Sequence, residues 1–252
     1  VALALYLPLA AHWAADAFDK ALGARAAATP MIVGARGSRF DLVLHGLYFR
    51  ARSEGTVVHG EFTALRDAGH GRVIPLHVQF TAGGQPVVGT SLDYFEFREL
   101  QMARGESMAL LGDCVLGANA AHELNLSPGD KLKTDRKNLF DLTGDYPLQL
   151  NVTGVLSATG TADDEGVFVD VKTAWIIAGH GHGHAESESN ATNSPSAKLV
   201  KTHLEITLKN MGTFHFHDDP TALPLAAILV EPTDAKESAM VMSRYQNSGQ
   251  LQ

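Results

Sequence analysis

"LLGDCVLGANAAHELNLSPGDKLKT", residues 110–134, and "YPLQLNVTGVLSATGTADDEGVFVDVKTAW", residues 146–175, are the stretches on which the fold turns. "DCVL" is a short apolar run, and the segment after it carries Ala120, Ala121 and Leu124 at helical spacing; a strand entering a helix is predicted. In "LNLSPGDKL" Pro128 and Gly129 turn the end of that helix into a second strand. Residues 146–160 alternate as one long strand. "EGVFVDVKTAWIIAG", residues 165–179, reads as a strand passing into a helix. Cys114 falls inside the first apolar run and is predicted to be a small buried core residue, because a nucleophilic thiol needs an accessible, electropositive site.

Working outward, the Ala-rich stretch 10–28 predicts a helix with Trp13, Ala17, Ala21 and Ala24 on one face, ending near Thr29-Pro30. Residues 30–38 give a short strand and a glycine turn. "SRFDLVLHGLYFRA" predicts a helix capped by Ser38, with Phe40, Val43, Leu44 and Leu47 on one apolar face. "GTVVHGEFTAL" (55–65) and "RVIPLHVQFTA" (72–82) alternate like strands, "AGGQPVVGTS" (82–91) reads as a break, and "LDYFEFREL" (92–100) as a short helix. Towards the C-terminus "KTHLEITLK" and "PLAAILVEP" predict strands, and "DAKESAMVMSRYQ" a helix opened by Thr233 or Asp234. Asp163, Asp164 and Glu165 read as a solvated acidic turn, since charged residues mostly lie outside. No repeat of fixed period is present. Helices and strands mix without βαβ alternation, which predicts an α+β fold.

The bulk properties exclude several classes. The chain has 252 residues and a net charge of −8, with no dense Lys/Arg cluster, so no nucleic-acid partner is expected. One cysteine excludes an intrachain disulfide. "VALALYLPLAAHW", residues 1–13, is apolar but shorter than the roughly 20 residues that span a bilayer, and it lacks the basic leader of a signal peptide. It reads either as the outer end of a membrane helix, with Tyr6 and Trp13 at the interface, or as a buried helix. There is no G-x-S-x-G elbow, P-loop or dinucleotide fingerprint.

Two histidine-rich stretches are candidate metal ligands. "GHGHGHAESESN" (179–190) carries His180, His182 and His184 between glycines, and "HFHDDP" (215–220) carries His215 and His217 at alternate positions, which places both on one face of a strand. These five residues are the candidate site, with zinc or another divalent transition metal as the ligand and Glu186 or Glu188 as added oxygen donors. "HFHDDP" is similar to the H-x-H-x-D-H signature of metallo-β-lactamase-like hydrolases. Pro220 replaces its last histidine and no histidine follows His217, so the hydrolase reading is rejected. No cofactor is required.

The two opening stretches together resemble the periplasmic core domain of MacB/FtsX-like ABC transporter permeases. The likeness rests on Gly112, Val115, Gly117, Ala121, Leu124, Leu126, Gly129, Asp130 and Leu132, then on Val152, Gly154, Val155, Gly160, Asp164, Phe168, Val169, Thr173 and Trp175. "PMIVGARGSRFDLVLHGLYFR" (30–50) and "VVGTSLDYFEFREL" (87–100) extend the likeness over residues 29–184. The resemblance implies a two-lobed α+β domain between the first and second membrane helices of a bacterial inner-membrane protein, with its bulk in the periplasm. Residues 1–28 would end a transmembrane helix and continue as a membrane-proximal helix. Residues 29–98 and 205–252 would build a membrane-proximal α/β lobe, residues 99–178 an inserted β-rich lobe, and 179–204 a flexible His/Ser-rich loop. It further implies a non-catalytic domain coupling ATP-driven motion to export or release of an envelope substrate. Its partners would be a cytoplasmic ATPase subunit and a periplasmic or lipoprotein component, in a homodimeric or heterodimeric transporter. The alternative is a periplasmic zinc-binding or zinc-sensing module.

Overall fold

The computed structural model describes residues 2–50, 55–135, 147–182, 204–216, 218–246, 248–249 and 251–252. Helix α1 (Ala2–Ala27) runs the length of the alanine-rich segment and beyond its expected start. Tyr6, Leu7, Leu9 and Trp13 are exposed on it. Among the described residues no helix is long and apolar enough to cross a membrane.

One large mixed sheet organises the rest. Its path runs β1 (Met31–Val33), β14 (Ala227–Pro232), β3 (Gly71–Ala82), β4 (Gln85–Thr90), β9 (Val167–Asp170), β6 (Asp113–Leu116), β8 (Leu148–Leu156) and β11 (Leu204–Glu205). The short strands β5 (Met102–Gly105) and β7 (Lys131–Lys133) also pair with β8. The pairs β4–β9, β6–β8 and β8–β11 are parallel and the remaining neighbours antiparallel, the mixed pattern of an α+β chain. Val87–Thr90 of β4 lie beside Val167–Asp170 of β9. Ladder hydrogen bonds thus cross from the segment before residue 99 into the segment after it. Two small pairs flank this sheet: β2 (Val57–Val58) with β13 (Pro224–Leu225), and β10 (Gly181–His182) with β12 (His215–Phe216).

The strand-to-helix segments come out as read. Strand β6 leads into α5 (Ala118–Leu124), and β9 into α6 (Val171–Ile177). Buried Ala120 and Ala121 face inward, and Cys114 is fully buried. Helix α2 (Arg39–Tyr48) has Ser38 as its cap, the Oγ accepting from the Asp41 N–H at 3.1 Å. Helix α4 (Asp93–Phe97) is short, and α7 (Ala235–Gln246) is opened by Asp234, which accepts from the Glu237 N–H.

Four local expectations fail. Residues 59–68 form helix α3 (His59–Ala68), not a strand. Phe62 and Leu65, three apart, bury one helical face against β3, and Gly69 closes the helix in the left-handed region at φ 71°. "QPVVGT" is strand β4, not a break; the turn is confined to Gly83-Gly84, both at positive φ. In α2 the buried face carries Leu42, His45, Gly46 and Leu47, while Phe40 is 71 % exposed. Finally, "KTHLEITLK" yields only the two-residue β11 among its described residues. Asn210 turns the chain back at once, its side-chain oxygen accepting from the Thr207 N–H at 2.7 Å.

Three contiguous apolar clusters fill the sheet faces. One gathers Leu148, Leu150, Val152 and Ile176 about β8 and α6. A second packs Tyr94 and Phe95 of α4 against Phe168, with Phe95 edge-on to both other rings. The third holds Trp175, Leu225 and Ile228 under α3 and α7. Trp175 is buried, and its indole N–H donates to the Pro224 carbonyl at 2.7 Å, which satisfies the one polar atom of the ring.

Candidate functional site

The loop between β8 and β9, residues 157–166, contains the acidic run Asp163-Asp164-Glu165 inside a 3-10 turn, Ala162–Glu165. The expectation of a solvated turn is overturned. Asp163 is 1 % and Asp164 4 % exposed. Charged groups enter the interior only when paired, and each carboxylate has its partners.

Asp164 works within the loop. Its Oδ1 accepts from the Thr159 N–H and hydroxyl at 2.8 and 2.9 Å, and its Oδ2 from the Gly160 N–H at 2.7 Å. Asp163 points the other way, to the last turns of α1. The Arg25 guanidinium meets it fork to fork, Nη1 donating to Oδ2 at 2.7 Å and Nη2 to Oδ1 at 2.9 Å. The Tyr94 hydroxyl donates to Oδ1 at 2.6 Å and the Thr161 hydroxyl to Oδ2 at 3.1 Å. Arg25, 7 % exposed, also donates through Nε to the Leu47 carbonyl at the end of α2. Glu165 forms an outer rung, accepting from Arg50 at 2.5 Å.

The electrostatics follow from this geometry. Burial pushes the Asp163 carboxyl up, but the hydrogen bonds and charge of Arg25 outweigh it and hold the group below the ordinary carboxylate range. Burial opposes the charge on Arg25, and Asp163 with Tyr94 more than restores it. Burial and the nearby Asp163 charge raise the Tyr94 phenol, which stays protonated as a donor. A second arginine buttresses the ring: Arg98 stacks on Phe97 and Tyr94 and donates to the Thr29 hydroxyl at 2.9 Å, just past the end of α1.

This cluster ties four elements at one point: α1, the end of α2, α4 and the β8–β9 loop. The loop in turn grips α5. The Gly117 N–H donates to the Gly166 carbonyl at 2.8 Å, and a Cβ at Gly117 would collide with the carbonyl oxygens of Asp163 and Asp164. Hydrogen bonds thus run without a break from α1 through the β8–β9 loop to the start of α5. No sequence pattern pointed to Arg25, because it is one cation in an alanine-rich helix and its partner lies 138 residues away.

The histidine candidates are elsewhere. His180 Nδ1 lies 3.2 Å from Asp218 Oδ2, and the β10–β12 pairing sets His182 opposite His215. His184 and His217 lie outside the described residues. Among the described residues no group of three or more His, Cys, Asp or Glu is disposed to hold a metal.

The sequence pattern of the MacB-like periplasmic core domain matches residues 18–240. Among solved structures, the periplasmic region of MacB from Actinobacillus actinomycetemcomitans is similar at 11 % identity and a TM-score of 0.51, covering 89 % of each chain. The extracellular domain of the ABC-type transporter YknZ from Gram-positive bacteria is similar at 12 % identity and a TM-score of 0.48, covering 88 % of this chain and 97 % of that one. Comparison with curated proteins gives no match. With the match spanning nearly the whole chain, this protein belongs to the MacB-like periplasmic core domain family.

Proposed function

We propose that this domain is the mechanical coupler of an ABC permease, passing ATP-driven motion of the membrane region through α1 to an envelope substrate or partner outside. The observation that carries this reading is the buried Arg25–Asp163 pair. A helix that leaves the body of the domain is locked, by a bidentate ion pair, to the loop joining two strands of the main sheet. A binding module would need no such rigid tie at the root of its most exposed helix. The chain does no covalent chemistry in this reading: Asp163 and Asp164 are fully engaged as acceptors, and burial drives the Cys114 thiol up. The partners are a cytoplasmic ATPase subunit, a periplasmic or lipoprotein component, and a second permease subunit. The site of action is the periplasmic face of a bacterial inner membrane.

Affinity purification of the intact gene product from its native host tests this reading. Co-purification of an ATP-binding subunit is expected. Arg25→Met should then lower substrate export while leaving ATP hydrolysis within about twofold. Absence of any ATPase partner, or export indifferent to Arg25, overturns it.

A second reading, a transition-metal handle, draws on the antiparallel pairing of His182 with His215. Calorimetric zinc titration of the wild type against a His180/His182/His184→Ala variant decides it. Sub-micromolar binding lost in the variant supports the handle, and equal titrations end it.

A further inference from the structure

A groove of about 450 Å³ lies where β1, α2, α7 and the last two residues converge. Its walls are apolar: Ile32 from β1, Leu42 and Val43 from α2, Val241 and Met242 from α7, and Leu251. Its charged side chains are Arg36 and Arg39, and no Asp or Glu is among the described residues that line it. That is the reverse of the whole chain, which carries −8. Both arginines are exposed. Arg36 gives one N–H to the Ser248 carbonyl at 2.8 Å, which positions its guanidinium and leaves further donors of the fork for another acceptor. Asp41, on the first turn of α2, is not part of the lining.

Size selects among occupants. The volume falls in the range of small-molecule pockets, which are mostly apolar with a few oriented polar groups. A folded partner would need a far larger surface. An added β-strand is also disfavoured. Gly34 and Gln252 already exchange both hydrogen bonds at 3.0 Å on the outer edge of β1, and Pro30 has no N–H at the other end. Only the Ile32 rung between them faces outward.

We infer that this groove binds a small anionic amphiphile, its apolar chain lying between α2 and α7 and its carboxylate or phosphate held by Arg36 and Arg39. The inference stands on the groove alone and does not depend on the coupling role.

Calorimetry on the wild-type chain, with every ligand below its micelle concentration, tests it. Decanoate and decyl phosphate should each bind with one-to-one stoichiometry, and the stronger of the two identifies a fatty-acid or a lipid-phosphate head. Affinity should rise about twofold to fourfold per methylene from the eight- to the ten-carbon chain. Decyl maltoside, with a neutral head, should bind at least about tenfold more weakly, and acetate and inorganic phosphate not measurably. Arg39→Gln should weaken the anionic ligands about tenfold and leave the maltoside unchanged. Met242→Trp should block all of them. Arg39 and Met242 are exposed, so both variants should keep the wild-type melting curve. No saturable binding, equal binding of anionic and neutral heads, or binding indifferent to both substitutions overturns the inference. So does stronger binding of an acidic decapeptide than of either decyl anion.

Discussion

The guanidinium of Arg25 and the carboxylate of Asp163, 138 residues apart, form two hydrogen bonds of 2.7 and 2.9 Å inside the protein, each group more than nine-tenths buried. Buried ion pairs are costly to form and costly to break. Two charges leave water, and their mutual attraction recovers the loss only when geometry and further hydrogen bonds are good. Here Tyr94, Thr161 and the Leu47 carbonyl complete both shells. Such a pair acts as a register pin between α1 and the sheet.

Removing one partner should therefore hurt more than removing both. Asp163→Ala leaves Arg25 buried and uncompensated and is expected to cost about 3–5 kcal/mol in urea denaturation. The double change Arg25→Met with Asp163→Leu should recover more than half of that loss. A single-variant cost under about 1 kcal/mol would show the pair to be solvated in solution.

Half-buried His59 supplies a pH dependence with a defined sign. Its ring stacks on Phe62, meets Trp175 edge-on, and lies 3.1 Å from the Pro220 carbonyl. Burial, and then the Arg66 and Lys172 charges, lower its pKa from 6.5 despite that carbonyl. The unfolded chain thus binds the proton first as pH falls. The His59 contribution to stability is complete above about pH 6.5 and declines as pH drops below it. In melts between pH 7.5 and 5, His59→Phe should flatten the pH slope relative to wild type. An unchanged slope would mean the folded ring titrates normally.

Gly117→Ala should be destabilising although the backbone there has an ordinary φ of −63°. The added methyl meets the carbonyl oxygens of Asp163 and Asp164, which are backbone atoms that cannot swing aside. A loss of about 1–3 kcal/mol is expected from such overpacking. Hydrogen exchange should rise first at Thr159 and Gly160, whose N–H groups are held by Asp164.

Cys114 should be silent towards thiol reagents in the native state. It is fully buried, and burial together with the neighbouring Asp113 charge raises its thiol pKa. Disulfide-exchange assays should find no reactive thiol in buffer and one in denaturant. Rapid native labelling would reveal opening of the β6 strand.

What the chain alone determined is the part whose signals are local. Strand β6 into α5, the Pro128-Gly129 turn, β8, and β9 into α6 are legible because apolar periodicity and turn chemistry act over neighbouring residues. The same ordered residues carry the family likeness. The errors lie where burial chose between local options. Val57–Leu65 alternates well enough for a strand, yet packing against β3 makes most of it α3, and pairing with β3 and β9 draws "QPVVGT" into the sheet. Tertiary structure alone decided the junction. An acidic tripeptide reads as solvated by composition, because its desolvation is affordable only beside a cation that the fold brings from α1. Long-range electrostatic pairing leaves no periodicity in sequence, and so Arg25 became visible only once the sheet had carried Asp163 to it.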